Sequence, residues 1–282
     1  MILFYRVVAF LSCIVNRRLA LFVTDQIGKL MYFTLYRKRV RKVISNLKHI
    51  DKKLTSLEAQ KTVLTIYRNF ACFIYEFLLL PRLSSRNLFD YIDIEHKEYL
   101  DTAMKGGKGV IALTAHLGNW EIGGAILGIL GYSPTVISLS QPSQGMKDFF
   151  TNRRESVGVK VAYIEERLTN VISTLRRGGI VATLGDRVYS GQHYEGKLFG
   201  ANYCFPSGPF KLHHRLGCPI VPTFCVREGT KYKLYIEPEL KNGIIEWSQI
   251  LEKYIPRYVT QWYVFEQLWG KNSKLKSQNS KV

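Results

Sequence analysis

Acidic residues are scarce in this chain of 282 residues: 22 Asp and Glu face 40 Lys and Arg, a formal net charge of +18. The excess is uneven. Residues 1–53 carry 12 Lys and Arg against two Asp, residues 271–282 carry four Lys and no acid, and the 217 residues between them are close to neutral. A nucleic-acid-binding protein would draw a basic groove from its body. A basic margin around a balanced body argues instead for an anionic membrane surface or acidic ligands, and against nucleic acid. Cysteine is sparse as well. The five present (Cys13, Cys72, Cys204, Cys218 and Cys225) form no C-x-x-C pair and sit among apolar neighbours, which excludes a disulfide framework and a zinc site and points to a reducing compartment. No internal repeat, Gly-rich phosphate fingerprint, G-x-S-x-G elbow or Cys/His nucleophile pair occurs, which argues against a serine or cysteine hydrolase.

A long uninterrupted apolar run is also missing. Residues 1–15 are apolar apart from Arg6, Asn16-Arg17-Arg18 breaks the run, and residues 19–36 resume it with Asp25 and Lys29 inside. A membrane-spanning helix needs about 20 mostly apolar residues, and a cleaved signal needs a longer clean core ending at small residues. The expectation is therefore an N-terminal helical membrane anchor lying in the interface as a helix pair. Arg37-Lys38-Arg39-Val40-Arg41-Lys42 follows it. Those cations suit lipid phosphates and place the chain on the cytoplasmic face of the inner membrane. Three segments result: an anchor and basic segment at 1–53, an α/β body at 54–270 large enough to bury its own core, and a disordered basic tail at 271–282.

In the body, Thr55-x-x-Glu58 forms a capping box ahead of a strongly apolar helix that runs to about Leu80 and stops at Pro81. Short apolar strands are expected near 110–114, 135–139, 159–164, 180–184, 220–226 and 233–237. Helices are expected near 119–130, 144–156, 168–177 and 208–216, with an aromatic-rich helix at 248–269 kinked at Pro256. This alternation describes a mostly parallel sheet flanked by helices.

The chemistry-bearing residues gather where the first of these strands empties into a turn, at His116-Leu117-Gly118-Asn119-Trp120-Glu121. Asn119 suits a helix N-cap, which puts Glu121 in the first turn. On one continuous helix, side chains five residues apart point roughly 140° away from each other. His116 and Glu121 can therefore meet only if His116 precedes the helix, a break that Gly118 permits. A single His beside a Trp is otherwise a satisfied core residue. Its place at the carboxyl end of an α/β strand, where ligand sites gather, argues for a general base held by a carboxylate. A second polar cluster follows the strand at 180–184. Gly185-Asp186-Arg187 opens a long loop through Gly191, Gly196, Phe199-Gly200 and Cys204-Phe205-Pro206-Ser207-Gly208-Pro209, expected to form an ordered wall of the site. Arg187 suits a phosphate or a developing oxyanion, against a surface ion pair with Asp186 or Glu195. Arg153-Arg154 offers further cations. His213-His214, adjacent on a helix, point about 100° apart and cannot jointly hold a metal.

With the His116 to Glu121 corner and the stretches from Phe205 to Pro209 and from Gly217 to Pro222 in view, the chain resembles the bacterial lipid A biosynthesis acyltransferases. These are the lauroyl and myristoyl transferases of lipopolysaccharide assembly, and their relatives include the mycobacterial phosphatidylinositol mannoside acyltransferases. The resemblance runs over nearly the whole chain: the anchor and basic stretch, H-x-x-x-x-E, an Arg-bearing helix matching Arg154, the Asp186-Arg187 step, the Phe199-Gly200 turn, and Gln261-Trp262 with Trp269 beyond. It implies a glycerolipid-acyltransferase-like fold. It also implies transfer of a fatty acyl chain from acyl carrier protein, or coenzyme A, to a hydroxyl of a lipid A precursor. His116 would be the general base, Glu121 would orient it, and Arg154, Asp186 and Arg187 would bind substrate or stabilise the oxyanion. No metal or redox cofactor is implied. Many lipid A enzymes carry Asp-Gln where this chain has Asp186-Arg187. That spelling favours a phosphatidylinositol mannoside or other glycolipid acceptor. A reading from another class is a non-catalytic membrane-binding protein whose basic anchor is its function.

Overall fold

The computed structural model of the chain describes residues 6, 8–10, 14–35, 37–166, 168–189 and 192–269. Most of the first apolar stretch, Cys13, Gly191 and the tail at 271–282 lie outside the described residues. Helical residues stand at 6, 8–10 and 14, and two full helices follow, α1 (Arg17–Leu30) and α2 (Arg37–Ile50), both packed on the long α3 (Ser56–Leu78). The α3 N-terminus carries the expected capping box: Thr55 accepts from the Glu58 amide, and the Glu58 carboxylate accepts from the Thr55 amide at 2.9 Å. Ala20, Thr24 and Gly28 form the buried stripe of α1. A β-carbon at Gly28 would stand 2.5 Å from the Arg68 Cα, so glycine allows α1 to touch the α3 backbone. The opposite face of α1 presents Leu19, Phe22, Val23, Ile27 and Leu30, with Phe33 beyond, to solvent. No helix among the described residues is long and apolar enough to cross a membrane. The basic α2 buries Val43 and Leu47 in a cluster shared with Ile66, Tyr67 and Phe73 of α3 and with Tyr263.

The remaining chain builds a seven-stranded sheet in the order β1 (Ile92–Glu95), β9 (Lys231–Ile236), β8 (Ile220–Glu228), β2 (Val110–Thr114), β5 (Ile180–Leu184), β3 (Thr135–Ser138), β4 (Lys160–Tyr163). All pairs are parallel except β8 with β9. The alternation within β2 explains why it is wholly apolar. Ile111 and Leu113 face one core with Trp247 and Leu251, whereas Val110 and Ala112 face the other with Leu100, Ala125 and Ile126. Helices cover both faces: α4 (Lys97–Lys105), α5 (Trp120–Ile129), α6 (Gln144–Glu155), α7 (Thr169–Arg176), α8 (Gly208–Leu216) and α9 (Gly243–Arg257).

Two expectations are corrected. The polar loop after β5 contains an antiparallel hairpin, β6 (His193–Leu198) with β7 (Ala201–Pro206). Phe199 and Gly200, with φ of 52° and 73°, make the left-handed turn that such a two-residue connection requires. The last aromatic segment is not one helix over 248–269: α9 starts earlier and ends at Arg257, one residue past Pro256, followed by a single turn at Val259–Gln261. Proline has no amide hydrogen to donate and its ring crowds the preceding turn. Beyond it the chain runs without regular structure to Trp269.

Candidate active site

Parallel strands in register bring residues at equal distances beyond their ends side by side. β2 and β5 finish together, with Thr114 opposite Leu184, and the Gly185 amide extends the ladder to the Thr114 carbonyl at 2.7 Å. His116 and Asp186 each stand two residues further on. His116 Nδ1–H donates to Asp186 Oδ1 at 2.7 Å, and its backbone amide donates to Oδ2 at 3.0 Å. The Trp262 indole N–H also donates to Oδ2, at 3.2 Å, and the Tyr203 hydroxyl donates to the Asp186 carbonyl. Asp186 is fully buried and His116 is 6% exposed. Burial alone would push the Asp186 carboxyl upward. The charge and hydrogen bonds of His116, with Arg187 nearby, hold it below the ordinary carboxylate value instead. An ionised carboxylate only accepts, so the imidazole carries its proton on Nδ1 and presents a lone pair at Nε2. The Tyr189 hydroxyl donates to that lone pair at 2.8 Å.

The corner holding His116 is built as its residue types require. Gly118 has φ +69°, and a β-carbon there would stand 2.0 Å from the Cys225 carbonyl oxygen. Asn119 caps α5 by accepting from the Ile122 amide at 3.1 Å, and its own side chain donates to Glu76 of α3 at 3.2 Å. The segment after α9 wraps the outside. The Gly118 amide donates to the Gln261 carbonyl at 2.9 Å and the Tyr263 amide to the His116 carbonyl at 2.7 Å. The Gln261 side chain exchanges hydrogen bonds with the Arg227 backbone on β8 at 2.8 and 2.9 Å.

Sequence comparison matches residues 1–271 to the family described as bacterial lipid A biosynthesis acyltransferase. The chain belongs to that family. Among its relatives are the phosphatidylinositol mannoside acyltransferases of Mycolicibacterium smegmatis, 23% identical over 71% of this chain and 70% of the relative, and of Mycobacterium tuberculosis, 25% identical over 69% and 66%.

In this acyltransferase the carboxylate that contacts His116 is that of Asp186, and the expected His116–Glu121 contact is not made. Glu121 does lie in the first turn of α5, but its two oxygens accept from Arg154 Nε at 2.8 Å and Nη2 at 2.6 Å. The His116 nitrogens are already taken by Asp186 and Tyr189. Arg154, 9% exposed on α6, therefore ties α6 to the His116 corner through Glu121. Arg187 pairs with Glu266 at 2.6 Å, not with Asp186 or Glu195, and its guanidinium lies over the Tyr189 ring at 4.8 Å. Of the residues around His116, Tyr189, Tyr203 and Glu266 carry no signal in the sequence. Trp262 does, through the Gln-Trp pair. Beside the corner, Leu21, Tyr75, Leu79, Leu83, Ile92 and Ile122 help line an apolar cavity of about 430 Å³ between α1, the end of α3 and β1, with Glu76 and Arg227 in its wall.

Proposed function

We propose that the protein moves a fatty acyl group from a thioester of acyl carrier protein or coenzyme A to a hydroxyl of a membrane glycolipid. The observation that carries this reading is the buried His116–Asp186 pair, 2.7 Å apart, in a chain of this family. His116 Nε2 takes the hydroxyl proton, the oxygen attacks the thioester carbon, the C–S bond breaks, and the imidazolium returns the proton to the departing thiolate. Asp186 fixes the tautomer and stabilises the imidazolium. Arg187 is assigned to the acceptor phosphate or the oxyanion, whereas Arg154 acts through Glu121 as a positioning residue. Thioester acyl transfer needs a base, an oxyanion site and an apolar slot, and no metal or redox cofactor. The cavity beside the corner is the slot. The apolar face of α1 and the exposed Arg39, Arg41, Lys42 and Lys48 of α2 would seat the enzyme on anionic lipid at the cytoplasmic face of the inner membrane.

We take a phosphatidylinositol mannoside as the first acceptor to test, a choice the relatives' names support, and a lipid A precursor as the second. Purified protein is incubated with an acyl-coenzyme A or acyl carrier protein and each acceptor in mixed vesicles, and lipids are read by mass spectrometry. One acceptor is expected to gain the mass of one acyl chain. Consumption of thioester with neither acceptor gaining mass would overturn the assignment.

A further inference from the structure

A general base can serve a substrate hydroxyl only through a free lone pair, and the lone pair of His116 is occupied. The Tyr189 hydroxyl sits 2.8 Å from Nε2, and since Nδ1–H is committed to Asp186 at 2.7 Å, this hydroxyl is the donor. The contact is braced from outside. The Arg187 guanidinium lies 4.8 Å from the Tyr189 ring centroid and is itself tied to Glu266 at 2.6 Å. Desolvation outweighs the neighbouring Arg187 cation and pushes the Tyr189 phenol up to about 12, so it remains a protonated donor at neutral pH. Tyr189 is 45% exposed and stands on the solvent side of the base, while His116 itself is 6% exposed.

An acyltransferase that keeps an activated base in contact with water wastes its donor. Water bound at Nε2 would lose its proton to His116 and attack the thioester carbon. The C–S bond would break and the proton would pass to the thiolate, giving free fatty acid and thiol. Excluding water suppresses such side reactions. We infer that Tyr189 is a specificity-determining residue, a placeholder that keeps water off His116 Nε2 until an acceptor hydroxyl displaces it. The inference rests on the acyl-transfer reading for its chemistry and on the Tyr189–His116–Arg187 geometry for its existence. Each acceptor hydroxyl must replace one hydrogen bond with an equivalent one. A glycolipid, anchored by the rest of its structure, can do so more readily than a water molecule.

Tyr189→Phe keeps the ring on Arg187 and removes only the hydroxyl. In the purified full-length variant, two quantities are measured against wild type. The first is the rate at which diethyl pyrocarbonate modifies His116, resolved by peptide mass spectrometry with His213 as internal control. The second is acyl-coenzyme A hydrolysis without acceptor. Both are expected to rise on the order of tenfold, the worth of one hydrogen bond to the base, with hydrolysis rising relative to transfer to acceptor. The added hydrolysis should vanish in the Tyr189→Phe, His116→Ala double variant. Unchanged His116 reactivity would overturn the inference whatever the protein's activity. A parallel fall of hydrolysis and transfer would overturn it too, because Tyr189 would then be passing the proton. Faster His116 modification with no thioester consumed under any condition would support the occlusion and sink the acyl-transfer reading instead.

Discussion

Both imidazole nitrogens of His116 are accounted for, by Asp186 on one side and Tyr189 on the other, and this decides how the two nearby acids divide their work. Asp186 touches His116; Glu121 holds Arg154. Asp186→Asn should therefore lower kcat by up to about 10⁴-fold with the fold intact, because an amide can donate to Nδ1 and stabilise the wrong tautomer. Glu121→Ala leaves a buried guanidinium without its carboxylate and should cost about 3–5 kcal/mol of stability, whereas replacing both Glu121 and Arg154 by apolar residues should restore much of it. Denaturant melts and steady-state kinetics on the three variants separate these effects. A Glu121→Ala enzyme of native stability and depressed kcat would return the orienting role to Glu121. His116 announces itself by its place after an apolar strand, but its carboxylate lies 70 residues away and is brought in by the β2–β5 register, a tertiary fact. Glu121 is merely the nearest acid in the chain.

Elements whose local and tertiary preferences agree were legible. β2 and β5 fall where their apolar runs place them, α3 starts at its capping box, and α5 starts at the Asn119 cap. The four-residue edge strand β1 was not legible, because Ile-Asp-Ile-Glu is too short to show a period. The β6–β7 hairpin turns at Phe199-Gly200 and lacks the Asn-Gly type of signal that such connections usually carry. The segment from Trp262 to Trp269 is rich in aromatic residues because it packs along the catalytic corner and α2. Asn46 donates to the Glu266 carbonyl at 2.7 Å and His49 stacks on Trp269 at 4.7 Å. Helix α1 carries the test at this scale. Replacing Phe22, Ile27 and Phe33 by Ser should leave the α1–α3 packing and the melting temperature unchanged. Binding to vesicles of anionic phospholipid should fall by about 10²-fold or more, given about 1.5–3 kcal/mol for fully burying each such side chain. Flotation assays read it, and undiminished binding would remove α1 from the membrane contact.

For the whole molecule, charge and architecture point the same way. The basic surplus lies mostly at the N-terminal margin, and the helices of that margin are sutured to the catalytic body: α1 and α2 pack on α3, whose Glu76 side chain reaches Asn119 in the catalytic corner at 3.2 Å. A lipid surface against α1 would thus lie one helix away from His116, and α1 also helps line the apolar cavity of about 430 Å³. The arrangement suits a reaction whose acceptor and acyl chain both belong to membranes. His116 is the proposed base of this acyl transfer. The direct measurement is the initial rate of acyl transfer to a vesicle-borne glycolipid by purified wild type and His116→Ala, with matching circular dichroism and melting curves. A loss of roughly 10²–10⁴-fold in kcat with the fold retained is the expected result. Near-wild-type turnover by His116→Ala would contradict it.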